Sequence, residues 1–193
     1  RADNRQPGGA GLQVDQPDVP LLFFGAPEQA EGLDLPGEFR PKEPWDGSEA
    51  GAGAVSIQAL RGAVEAAMSG AASAVVTGPV HKPALHAAGW AAPGQTEMLQ
   101  ELTSAETVGM LMCTETTRLG GALRVLLATT HLALRDVPQR LTTDLLVEQT
   151  KLLHGALRDR WGFAEPRLAL CALNPHASDE GLFGDEEARI FEP

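Results

Sequence analysis

The sequence predicts an α/β protein, and three observations carry the prediction. Short apolar runs at residues 74–76, 108–113, 123–128 and 168–173 alternate with longer segments whose apolar residues recur at helical spacing. The run 168–173 contains no polar residue at all, which suits a strand covered on both faces of a mostly parallel sheet. Composition agrees: 193 residues, 43% hydrophobic and 21% charged, are enough to build a real core in one large or two small domains.

In chain order, residues 1–18 are polar and rich in Gly, Pro, Asp and Gln, so an irregular lead-in is expected, with structure starting at Val19. Residues 20–24 read as a short strand and residues 25–53 as a long surface connection. Between 54 and 68, Val55, Ala59, Ala63, Ala66 and Ala67 recur at helical spacing and Ser69-Gly70 ends the run, which predicts a helix. A strand at 74–76 then leads into Thr77-Gly78-Pro79, and a second helix opens near Pro83 and stops at Gly89. Thr96 is an expected N-cap for a helix to Leu102. The runs 108–113 and 123–128 are strands that can pair as a hairpin. Pro138 is expected to open a long helix reaching Trp161, with Leu141, Leu145, Leu146, Leu153 and Leu157 toward the core and Gly162 as its stop. A buried strand at 168–173 follows, and Asp185-Glu186-Glu187 fits the first turn of a last helix, where negative charge is favoured. The first α/β domain is expected over residues 19–122 and the second over 123–193.

Fifteen Lys+Arg against 26 Asp+Glu give a formal charge of −11, which disfavours a nucleic-acid partner. No apolar run approaches the roughly 20 residues of a membrane span, and no secretory leader is visible, so a cytoplasmic protein is expected. Cys113 and Cys171 lie in apolar runs without CxxC spacing and read as reduced core thiols.

The chemistry gathers at strand ends. Three apolar runs finish in Thr77-Gly78-Pro79-Val80-His81-Lys82, Thr129-Thr130-His131 and Asn174-Pro175-His176, each delivering a small polar residue and then an imidazole or ammonium group. In an open parallel sheet such groups converge on the carboxyl edge, where ligands bind. Two neutral imidazoles, His131 and His176, with a third ligand and open positions would hold a divalent metal as a Lewis acid; the alternative is that each His simply closes its loop. Gly94-Gln95-Thr96-Glu97 opens a helix whose free N–H groups and Thr96 hydroxyl can hold a phosphate or carboxylate, with Lys82 as a candidate partner of the same anion. Thr96 as a plain cap and Lys82 as a solvated side chain are the competing readings. His81, His86 and His154 read as surface or structural residues.

Four ordered motifs then become recognisable: TGPVHK at 77–82, PGQTEML at 93–99, TTHLALRDVP at 129–138 and LNPHASDEGLFGDEE at 173–187. From about residue 50 to 193 the sequence resembles the 4-hydroxythreonine-4-phosphate dehydrogenase family of pyridoxal phosphate biosynthesis. The resemblance implies a three-layer α/β/α fold like isopropylmalate dehydrogenase, two domains around a cleft, and a homodimer with the active site at the subunit interface. It also implies NAD (or NADP) and a divalent metal such as zinc, magnesium or cobalt as cofactors. His131 and His176 match the family's metal histidines; the third belongs to a later motif than this chain reaches, as do further substrate contacts. Thr96 matches a substrate-binding Thr. Gln95 stands where His is usual, and His81 where Asn is usual; Gln donates a hydrogen bond but carries no positive charge. The implied reaction is oxidation of the secondary alcohol of a small phosphorylated hydroxy amino acid, 4-phosphohydroxy-L-threonine, followed by loss of CO₂. No GxGxxG fingerprint supports the nicotinamide independently. Three alternatives stay open: a related dehydrogenase of another phosphorylated hydroxy acid or of a dihydrodiol carboxylate, a metal-dependent hydrolase or lyase, and an inactive fragment.

Overall fold

The computed structural model describes residues 20–35 and 37–193; the expected lead-in at 1–18 and the start at Val19 lie outside them. The chain divides into two compact units, separated in sequence between Ala91 and Ala92. The expected division at 122/123 falls inside a paired hairpin of the second unit.

In the first unit, β1 (Leu21–Gly25) lies parallel to β2 (Gly37–Pro41), in register from Leu21 opposite Gly37 to Gly25 opposite Pro41. A one-turn helix, α1 (Pro27–Ala30), lies between them. The long connection expected at 25–53 therefore holds α1, the strand β2 and the start of a second helix. GEFRP escaped the sequence reading because its Gly, Pro and charged residues score poorly as a strand. Helix α2 (Glu49–Met68) starts five residues before its expected position: the Ser48 hydroxyl accepts the Gly51 N–H at 2.8 Å. It buries Gly53, Val55, Leu60, Gly62, Val64 and Ala66. Gly53 is required by close approach, since a Cβ there would stand 1.9 Å from the Ala84 carbonyl oxygen of α3 (Lys82–Ala87). Trp90, 8% exposed, closes this core, with the Arg61 guanidinium 5.2 Å from its ring.

The second unit contains α4 (Gln95–Thr103), the antiparallel pair β3 (Met110–Thr114) and β4 (Leu123–Leu127), α5 (Val137–Arg140) and α6 (Thr143–Trp161). The hairpin and the Gly162 stop, with φ of 72°, are as expected. The long helix is not continuous from Pro138. The backbone leaves helical geometry at Leu141, with ψ of 122°, and Thr142 caps a fresh helix by accepting the Leu145 N–H at 3.2 Å. Leu141, Leu146 and Ile190 form a buried cluster, with Ala128, Leu145, Leu173 and Phe191 packed against it. Ile190 belongs to a closing π-helical turn, Glu187–Phe191, whose Ile190 carbonyl accepts the Thr143 hydroxyl at 2.8 Å.

Two expected strands do not form. Residues 74–76 and 168–173 form no strand and have no ladder partner among the described residues, and Val76 is 89% and Leu170 57% exposed. An apolar run encodes a preference for burial, whereas a strand also needs a neighbouring edge to satisfy its N–H and C=O groups, and none is paired with either run here. The described sheets are thus one parallel and one antiparallel pair in place of a mostly parallel sheet. Cys113 and Cys171 are correspondingly exposed free thiols, not core thiols.

Candidate functional site

The candidate residues of the second unit fall on two separate features: the first turn of α4, which His131 approaches, and the loop that carries His176. Gly94, buried and extended, is the N-cap of α4, so Gln95 and Thr96 occupy the first turn and Thr96 is not the cap. The buried Gly94 lets two groups come close. A Cβ there would lie 3.1 Å from the Glu97 Oε2 and 3.9 Å from the His131 Cε1. The structure therefore brings His131 against the turn formed by Gly94-Gln95-Thr96-Glu97, two motifs more than thirty residues apart. Glu97 Oε2 is buried there without a hydrogen-bond partner, a feature that the sequence reading did not single out. Its signal was the acidic residue in the first turn of a glycine-capped helix.

His131 follows β4 after Ala128-Thr129-Thr130, is exposed, and has a φ of 56°. His176 has a φ of 54° and is also exposed, its ring 6.4 Å from that of Phe183. It opens a run of positive φ: His176, Ala177, Ser178, Asp179 and Glu180 all lie in the left-handed region, followed by Gly181. Each residue bearing a Cβ costs roughly 1–2 kcal/mol in that conformation, so such a run persists only where surrounding contacts over-determine it.

Those contacts come from Glu187. Its Oε1 accepts the backbone N–H groups of Leu173 (2.9 Å) and Asn174 (2.7 Å); its Oε2 accepts the Asn174 Nδ2 (2.9 Å) and the Ser178 hydroxyl. Glu186 takes the second Asn174 amide proton at 2.8 Å. The backbone and side-chain donors of Asn174 and the Ser178 hydroxyl together hold the Glu187 carboxyl well below the usual range, at about 2. Asp185-Glu186-Glu187 was expected to complement a helix dipole; the third of these acids ties down a loop instead.

Lys82 and His81 lie in the first unit. Lys82 is the exposed first residue of α3, and His81 is its N-cap, with Nδ1 3.6 Å from Glu49 Oε1. As metal donors, His131 and His176 are of the right chemistry, two solvent-facing imidazoles on loops after apolar runs. Among the described residues, no group of three or more His, Cys, Asp or Glu stands ready to hold an ion. No helix among the described residues is long and apolar enough to cross a membrane.

Sequence comparison gives the class that this geometry belongs to: residues 25–193 match the family model described as pyridoxal phosphate biosynthetic protein PdxA, and the chain belongs to that family. Its relatives are named for one enzyme. The 4-hydroxythreonine-4-phosphate dehydrogenase of Synechococcus sp. (strain JA-3-3Ab) is 42% identical over 95% of this chain and 49% of its own length. That of Pseudomonas aeruginosa PAO1 is 37% identical over 96% of this chain and 56% of its own. Among solved structures, the 4-hydroxythreonine-4-phosphate dehydrogenase of Klebsiella pneumoniae superposes with a TM-score of 0.71 at 34% identity, covering 83% of this chain and 51% of that one. The enzyme from Burkholderia phymatum gives 0.65 at 32%, covering 85% and 50%. The chain thus spans about half the length of the relatives it matches.

Proposed function

We propose that this chain provides the substrate-anchoring turn and two metal-binding histidines of a 4-hydroxythreonine-4-phosphate dehydrogenase, an NAD-dependent, metal-assisted oxidation with decarboxylation. The observation that carries the reading is the approach of His131 to the Gly94-capped start of α4, 3.9 Å from the point a Cβ at Gly94 would occupy. That approach joins an anion-attracting helix start to a metal-type donor. In this reading Thr96 and the first-turn N–H groups of α4 bind the phosphate or carboxylate of the substrate. Gln95 adds a neutral hydrogen bond. His131 and His176 hold the divalent ion, which when bound polarises the substrate hydroxyl and stabilises negative charge that develops on it. The three-layer fold like isopropylmalate dehydrogenase, the homodimer with its interfacial site and the cytoplasmic location belong to the same proposal and rest on the family resemblance.

The test is NADH production from 4-phosphohydroxy-L-threonine with a divalent metal present. His131→Ala and His176→Ala are each expected to reduce it at least a hundredfold with an unchanged circular dichroism spectrum; full activity in both variants overturns the reading. One observation favours a relative with another substrate: the neutral Gln95 at the anion turn. If Gln95→His raises kcat/KM for the phosphorylated substrate while the native protein prefers a different hydroxy acid, the alternative dehydrogenase takes precedence.

A further inference from the structure

We propose that Glu187 is a positioning residue for His176: by gripping the chain on both sides of the imidazole-bearing turn, its carboxylate sets the direction in which His176 is presented to a metal ion. The inference rests on the reading of His176 as a metal ligand. The grip is two-sided. Leu173 and Asn174 immediately precede the turn, Ser178 lies two residues beyond His176, and all three donate to the Glu187 carboxylate, which does not itself bond the imidazole.

The support behind the carboxylate is firm. Glu187 is 7% exposed, and three residues on, Ile190 sits in the cluster with Leu141 and Leu146 while its carbonyl is held by Thr143. His176 is thereby referred through one side chain to the hydrophobic core of the second unit. The main-chain bonds inside the turn, Ala177 N–H to Asn174 C=O (3.2 Å), Asp179 N–H to His176 C=O (3.3 Å) and Phe183 N–H to Ser178 C=O (3.1 Å), close it on itself but tie it to nothing else. The side chain at 187 is therefore the one that links both ends of the turn to the body of the protein, with Glu186 adding a bond to the Asn174 side chain and Leu173 packing against the core cluster.

The link is also chemically selective. An ionised carboxylate only accepts, and here two oxygens meet four donors. A glutamine of nearly the same shape would turn an NH₂ group toward one pair of those donors, so the exchange keeps the volume and breaks the grip. Removing an outer partner that orients a metal-ligating histidine typically weakens metal binding about 10–100-fold.

Co²⁺ serves as the probe, titrated by visible absorption into the full protein and its Glu187→Gln, Ser178→Ala and His176→Ala variants, with amide exchange followed at Leu173 and Asn174. The inference expects Glu187→Gln to weaken Co²⁺ binding about 10–100-fold, to shift the ligand-field bands, and to accelerate exchange at both amides. Ser178→Ala is expected to move all three the same way by less. A merely structural role would lower the unfolding midpoint and leave the ligand-field bands of the bound ion in place. Unchanged Co²⁺ affinity and bands in Glu187→Gln and Ser178→Ala, with His176→Ala still weakening the ion, overturn the inference alone. Unchanged Co²⁺ binding in His176→Ala overturns the metal reading beneath it. If Glu187→Gln does not fold, Ser178→Ala decides.

Discussion

Glu187 meets Asn174 twice, accepting its backbone N–H on one carboxylate oxygen at 2.7 Å and its side-chain amide on the other at 2.9 Å. Both contacts are stronger to the ionised acid, which alone can accept all four of its donors without turning an O–H toward one of them. The folded pKa of about 2 lies below the ordinary value of 4.5, so the stabilisation is fully present above about pH 4.5 and is lost as pH falls toward 2. Amide exchange at Leu173 and Asn174 should therefore be slow and pH-independent in its opening step above pH 4.5, and accelerate below it. Glu187→Gln should remove that transition. Asp46 also has a lowered pKa, from the Ser48 hydroxyl and N–H, so local exchange is a cleaner readout than global unfolding.

The cluster around Leu141 supports this loop from behind. Truncation of Leu146 or Ile190 to Ala, at 6% and 3% exposure, should cost about 2–5 kcal/mol in denaturant unfolding. A cost below 1 kcal/mol at both positions would mean that the cluster does not hold the second unit together.

Two glycines in helices should respond with opposite sign. Gly53→Ala drives a methyl group to 1.9 Å from the Ala84 carbonyl oxygen, a backbone atom that cannot step aside, so α2 and α3 must separate; the expected loss is about 1–3 kcal/mol. A Cβ at Gly155, inside α6, meets nothing within 4 Å, and Gly155→Ala should raise stability by up to about 1 kcal/mol. Thermal melts of the two variants give the comparison directly.

Gly94→Ala tests the contact that brings two motifs together. The new methyl group would face the Glu97 Oε2 at 3.1 Å, the end of a flexible side chain, so the fold should survive with a loss of about 1 kcal/mol from the poorer cap. Substrate affinity should fall more than stability, because the displaced carboxylate and His131 share that space. Equal KM in the variant and the parent would separate the α4 turn from substrate binding.

What could be read from the sequence was what is local. Ser69-Gly70, Gly89 and Gly162 stop helices α2, α3 and α6 close to where their chemistry says they should, and the apolar runs around Met112 and Val125 do pair. What failed depended on partners. Leu168, Leu170 and Val76 look like buried strand residues because they are apolar, but pairing is decided by whether another edge lies alongside, a fact that is not written in the run itself. GEFRP became a strand because β1 offered it an edge. For the site, His131, His176, Gln95, Thr96 and Lys82 were all visible as residue types at turn positions. The approach of Gly94 to His131 and the grip of Glu187 were not, since both link segments that are far apart or serve a local role in sequence.

The run from His176 to Glu180 inverts the usual handedness of the backbone. Five consecutive residues with side chains follow the backbone path that a chain of mirror-image amino acids would take unforced. A D-alanine in place of Ala177, introduced by peptide ligation, would sit in its own preferred basin, whereas the same exchange at Leu145 in α6 would break the helix. Of the two motifs that bear candidate ligands, the one around His176 is thus built partly against the chirality of its own building blocks, and the acid that grips both its ends lies thirteen residues from where the turn begins.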